Sequence, residues 1–177
     1  MCDFILYGDD IALLILMAVA VYDDFSTGHI PNYLILSGSS VGIGIHVIKS
    51  GPGGVAYSLT GFILPFVLLF LLHILKMTGA GDVKLLMMAG TYIGASRILI
   101  AIVAAFVTAA AVSLILMIKY GIFFERLRYF TQYIYHIGTT RKIFPYYDFK
   151  QKKKGETLYF SLYIFLGVLF SLSFKYF

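Results

Sequence analysis

Apolar residues run along the chain in six long blocks, near residues 4–22, 30–48, 55–75, 83–96, 98–118 and 157–174, with short polar, glycine or proline stretches between most of them. A helix needs about 20 apolar residues to cross the hydrocarbon layer of a bilayer, so the blocks predict six transmembrane helices, the fourth a short one. The fold class is therefore an all-α polytopic membrane protein. Six spans with short connections leave little chain for a separate soluble domain, and residues 1–177 are expected to form one domain. Two blocks also contain small residues four apart, Gly38 to Gly42 and Gly90 to Gly94. Such spacings let helix backbones approach closely where lipid offers no hydrophobic drive, so they read as packing faces.

The first block, with Ala18-Val19-Ala20 at its end, superficially resembles a signal peptide and its cleavage site. Its flank argues otherwise, because Asp3, Asp9 and Asp10 make the N-terminus acidic where a signal peptide carries Lys or Arg. Residues 4–22 are therefore read as a retained span.

Composition agrees with the pattern. The chain is 60% hydrophobic and 13% charged, with a mean hydropathy of +0.88, a balance that a water-soluble domain of this size could not hide in one core. Membrane lipid is thus the first partner. Cys2 is the only cysteine, which excludes an intrachain disulfide and a multi-cysteine zinc site. His29, His46, His73 and His136 have no second ligand at metal spacing, so no metal and no cofactor are assigned.

The net charge of +5 matters less than where the 14 basic residues fall. With six spans, the odd-numbered loops share one side. Loop three carries Lys76 and Lys84, and the long loop 119–155 carries Lys119, Arg126, Arg128, Arg141, Lys142, Lys150, Lys152, Lys153 and Lys154. Only Lys49, Arg97 and Lys175 lie on the other side. Positive charge marks the cytoplasmic side, so both termini are expected outside, and the asymmetry reflects topology rather than nucleic-acid binding. Within loop 119–155, the mixture of aromatic and basic residues from Gly121 to Ile137 predicts a cytoplasmic interfacial helix, followed by the basic run Lys150 to Lys154 near anionic lipid. A solvated loop whose charges only fix topology explains the same composition.

Acidic residues are scarce. There are nine, and between Phe25 and Phe124 only Asp82 occurs. An ionisable group near the bilayer is costly and is usually retained for function. Asp82 also stands directly before an apolar block, where a carboxylate can cap a helix, and on residue type alone the cap is the favoured reading. A cap does not account for the glycines of Gly79-Ala80-Gly81, which permit positive φ and close approach of another chain. The second acidic site is Asp23-Asp24 at the end of the first span, followed by His29 and by Ile30-Pro31-Asn32, where Pro31 suits the first turn of a helix.

Asp24 and Asp82 both fall at cytoplasmic ends of predicted spans, so packing can bring them together. In a poorly hydrated site two close carboxylates cannot both be charged, and the pair retains one proton. The ionised member can take a proton from water while the protonated member polarises a carbonyl and later donates to a leaving amine. No G-x-S-x-G, H-E-x-x-H or Walker loop offers other chemistry. An ion pathway or a pilus-assembly scaffold remains the competing class, but an inverted repeat, which a transporter would carry, is not evident.

Asp24 seven residues before Pro31, with Asn32 next, together with Gly79-Ala80-Gly81-Asp82-Val83-Lys84, resembles the two signature regions of the type IV prepilin peptidases, the G-x-G-D aspartic intramembrane proteases. The resemblance implies that Asp24 and Asp82 are the catalytic dyad, supported by Gly79, Gly81, Lys84, Pro31 and Asn32, with Asp23 and His29 nearby. It implies a prepilin-like precursor as substrate, its short basic leader cleaved at the cytoplasmic face of the inner membrane. The chain lacks the paired Cys-x-x-Cys extension of the bifunctional members, so N-methylation is not expected. It is similar to the short, peptidase-only branch serving Tad-type pili or pseudopilins, with archaeal preflagellin peptidases close behind. Lys84 is open to two roles, tuning the dyad or snorkelling to the interface.

Overall fold

The computed structural model describes residues 2–74, 78–120, 128 and 159–174. Among them the chain is helical and without strands, in four helices: α1 (Cys2–Thr27), α2 (Asn32–Ile74), α3 (Ala80–Lys119) and α4 (Phe160–Ser173). Six separate helices are therefore not what is observed. The second and third apolar blocks join in α2, and the fourth and fifth join in α3. Each join is a single residue outside helical geometry, Gly51 (φ 55°, ψ −133°) in α2 and Gly94 (φ 73°, ψ 174°) in α3. Both lie at positive φ, which a residue with a Cβ rarely adopts. The interfacial helix expected at Gly121 to Ile137 and the basic run Lys150 to Lys154 lie outside the described residues, Arg128 excepted.

The two breaks fold the long helices back on themselves. In α2 the rings of His46 and Tyr57 are 4.9 Å apart, whereas eleven residues of unbroken helix would separate them by about 16 Å along the axis. In α3 the Arg97 carbonyl accepts a bond from Ser171 near the end of α4, while Phe106 stacks at 5.1 Å on Phe160 at its start. The chain after Gly94 therefore runs antiparallel to α4. The stretch before Gly94 runs alongside the first half of α2, from a Lys84–Asn32 contact to a His46–Tyr92 contact. One end of the bundle thus gathers Asp9, Lys49, Gly51, Gly94, Arg97 and Ser171, and the other gathers the end of α1 with the starts of α2, α3 and α4.

Breaking a helix at Gly94 leaves the carbonyls of the preceding turn without intrahelical partners. In an apolar surrounding each would cost several kcal/mol if left bare. Side chains of α2 satisfy three of them. Ser58 Oγ donates to the Thr91 carbonyl (3.0 Å), Tyr57 Oη to that of Ile93 (2.6 Å), and His46 Nε2, which must carry the hydrogen because a carbonyl only accepts, to that of Tyr92 (3.0 Å). The small-residue faces serve the same contact. A Cβ on Gly90 would overlap the Gly61 carbonyl, one on Gly42 would strike Thr91 and Tyr92, and one on Gly38 would lie 2.5 Å from Met88 Sδ.

Helix α3 is central, with its largest interfaces to α2 and α4. Leu13 and Met17 of α1, Leu85, Leu86 and Met88 of α3, and Ile164 and Val168 of α4 form a fully buried core. The outside is also apolar: Ile15, Leu36, Ile48, Val67, Val107, Ile115 and Phe170 are each more than half exposed. Surface of that kind is unfavourable against water and neutral against acyl chains. Two stretches, Asn32–Phe70 and Ala80–Lys119, are long and apolar enough to cross a membrane.

Candidate active site

Asp24 is placed by the way α1 stops. Gly28, at φ 67°, closes the helix by donating its N–H to the Asp24 carbonyl at 2.9 Å, the left-handed termination that glycine permits. Thr27 Oγ1 lies 2.9 Å from the carbonyls of Asp23 and His29 and pins the turn that follows. Pro31 falls one residue before α2, its carbonyl 3.5 Å from the Ile35 amide. The α1–α2 connection is thereby tight, with Ile30 buried against Gly81 and His29 exposed.

Asp82 is the third residue of α3. Gly79 is the N-cap, extended at φ −69° and ψ 144°, and its N–H bonds to the Asp82 carboxylate. This is the reach-back half of a capping box. Asp82 thus takes part in the cap from inside the helix, and not as the capping residue before it that the sequence suggests, because Gly79 holds the N-cap position. The expectation that the flanking glycines supply positive φ is corrected: among the described residues only Gly28, Gly51 and Gly94 have it. What Gly79 supplies is room, because a Cβ there would stand 2.9 Å from Asp82 Oδ2. At Gly81 a Cβ would meet Ile30 at an ordinary 3.6 Å.

The fold brings these two helix ends together. Asp24 and Asp82, 58 positions apart in the chain, are both half-buried, and the charge of Asp24 acts directly on Asp82. Asp24 Oδ2 also accepts the hydroxyl of Ser161 at 2.5 Å, from the first turn of α4. Stacking of Phe25 on Tyr159 at 4.2 Å holds that turn to the end of α1. Sequence reasoning did not single out Ser161. Its only signal is a hydroxyl in an apolar block that also holds Ser171 and Ser173.

Lys84 and Asn32 meet each other, with Lys84 Nζ donating to Asn32 Oδ1 at 2.8 Å. The ammonium thus ties the start of α3 to the start of α2. Behind this pair opens an apolar cavity of about 490 Å³ between the two halves of α2 and the start of α3, lined by Ile35, Ser39, Leu59, Phe62 and Met87 among others. Among the described residues no three His, Cys, Asp or Glu side chains cluster as metal ligands do. The arrangement offers two carboxylates at adjoining helix ends, the charge of Asp24 felt by Asp82, beside an apolar recess.

The sequence model of the type IV leader peptidase family matches residues 11–114. The match takes in Asp24, the α1–α2 connection and Gly79 to Lys84, and leaves α4 with Ser161 outside it. Comparisons with curated proteins and with solved structures give no match.

Proposed function

Since the chain belongs to the type IV leader peptidase family, and is therefore a protease acting on a precursor protein, we propose that it is an intramembrane aspartic endopeptidase with Asp24 and Asp82 as its dyad. The observation that carries this reading is that two carboxylates stand at one end of an apolar helical bundle, near enough for the charge of Asp24 to act on Asp82, each at a helix terminus and each with a hydrogen-bond donor of its own. Gly51 and Gly94 divide the two long helices so that six segments cross the membrane. The basic loop 119–155 and the dyad then face the cytoplasm at the inner membrane, with both termini outside.

In the proposed reaction the ionised aspartate takes a proton from water as its oxygen attacks the scissile carbonyl, and the protonated partner hydrogen-bonds to the carbonyl oxygen. The tetrahedral intermediate collapses with a proton passed to the leaving amine, which breaks the C–N bond and returns the pair to one shared proton. Holding this proton traffic where lipid and helix ends limit water strengthens each electrostatic contact. The substrate is a prepilin-like or pseudopilin precursor, whose basic leader is drawn to the cytoplasmic face and whose apolar helix lies in the bilayer.

Reconstitution tests this. The purified chain in vesicles, given a synthetic precursor with a basic leader before an apolar helix, is expected to release the leader at the junction. A precursor left intact under conditions where the protein is folded contradicts the protease reading and favours a scaffold.

A further inference from the structure

Resting on the proposed dyad, we infer that Ser161 is a positioning residue that sets the two aspartates in different roles. Its hydroxyl occupies one oxygen of Asp24 and turns the other toward the attacking water, so Asp24 acts as the base and the shared proton stays on Asp82.

Three observations carry this. Ser161 is fully buried, and its oxygen lies 2.5 Å from Asp24 Oδ2, at the short end of the range for a hydroxyl donating to a charged carboxylate. Such a bond is roughly twice as strong to an ionised acceptor as to a neutral one, so it favours the form of Asp24 that can accept a proton from water. Asp82 also accepts one bond, from the Gly79 N–H, but Gly79 is exposed, and water competes there as it cannot at Ser161. Where only one of two neighbouring carboxylates can be charged, the better-held anion is Asp24.

The third observation is that Ser161 is itself held. Tyr159 stacks on Phe25 of α1, and Phe160 stacks on Phe106 of α3, so the residues just before Ser161 are tied to both neighbouring helices. Ser161 is the second residue of a 14-residue helix whose positive end faces Asp24, a further preference for the anion. The hydroxyl comes from 137 positions along the chain and joins α4 to a site otherwise built from the first three helices.

The test uses the full chain in lipid vesicles, as Ser161→Ala and Ser161→Thr, with the synthetic precursor. Ser161→Ala is expected to lower kcat about tenfold or more with KM within about twofold, and Ser161→Thr, which keeps the donor, to recover most of the loss. A second measurement does not need turnover: dicyclohexylcarbodiimide adds to protonated carboxylic acids, and mass spectrometry locates the adduct. It is expected on Asp82 in the wild type and on both aspartates in Ser161→Ala. If the wild type releases no leader but the label still spreads to Asp24 in Ser161→Ala, the protease reading fails and the role of Ser161 stands. If the wild type cleaves and the alanine variant matches it in kcat and in labelling, the inference is wrong.

Discussion

The two ends of this bundle are built differently. At the end with Gly51 and Gly94, backbone meets backbone: Gly61 and Gly90 touch without side chains, and three carbonyls freed by the break at Gly94 are each filled by a side chain of α2. At the end with Asp24 and Asp82, helix starts and stops are joined by two side-chain hydrogen bonds, Lys84 to Asn32 and Ser161 to Asp24, and by the Phe25–Tyr159 ring contact. Gly28 there has open space where a Cβ would go, and Gly81 has ordinary contact. The closed end fixes how the helices cross. The open end, where the proposed function has a peptide enter, is then not the part that holds the fold together.

Substitutions that add a Cβ separate the two ends most sharply. Gly90→Val drives a branched side chain into the Gly61 backbone, where no rotamer offers relief, and overpacking of this kind costs about 1–3 kcal/mol or more. Its expected outcome is loss of folded protein, read as the monodisperse fraction in detergent. Gly94→Ala comes next, because φ 73° with ψ 174° lies in a glycine-only region worth about 1–3 kcal/mol and the new methyl also meets the Tyr57 ring. A clear drop in Tm is expected. Lys49→Ala removes the ion pair with Asp9 at the same end, where both side chains are only partly exposed, and is expected to lower Tm by less than Gly94→Ala. Smallest of all is Gly81→Ala at the open end, expected to leave Tm unchanged or slightly raised because alanine favours helix. A Gly81→Ala protein less stable than Gly94→Ala would erase the distinction.

The same contrast explains what could be read from the chain. Long apolar blocks specify helices and lipid, because bilayer thickness acts on local composition. Asp82 was legible because it is the only acid between Phe25 and Phe124 and because its backbone partner, Gly79, lies only three residues away. The joining of blocks into α2 and α3 was not legible. One glycine at positive φ replaces a loop, and its conformation is set by partners such as His46 and Tyr57 far along the chain. Ser161 was hidden for the same reason: its role follows from α4 docking beside the end of α1, which no spacing within residues 157–174 announces. Lys84 shows a milder form, since its partner proved to be Asn32, a residue of the other signature region met only in three dimensions.

In the proposed reaction Asp24 and Asp82 act as one unit, and neither works alone. Leader release by Asp24→Asn, Asp82→Asn and Asp23→Asn, each confirmed folded in vesicles, addresses that directly. Asparagine keeps the size and much of the hydrogen bonding but cannot exchange the proton, so the first two variants are expected to lose cleavage by at least about a thousandfold in kcat, and their combination to be little worse. Asp23→Asn is expected to retain activity, because adjacent helical positions point about 100° apart and Ser161 bonds to Asp24. Cleavage at the wild-type rate by Asp82→Asn, or by Asp24→Asn, would contradict the dyad.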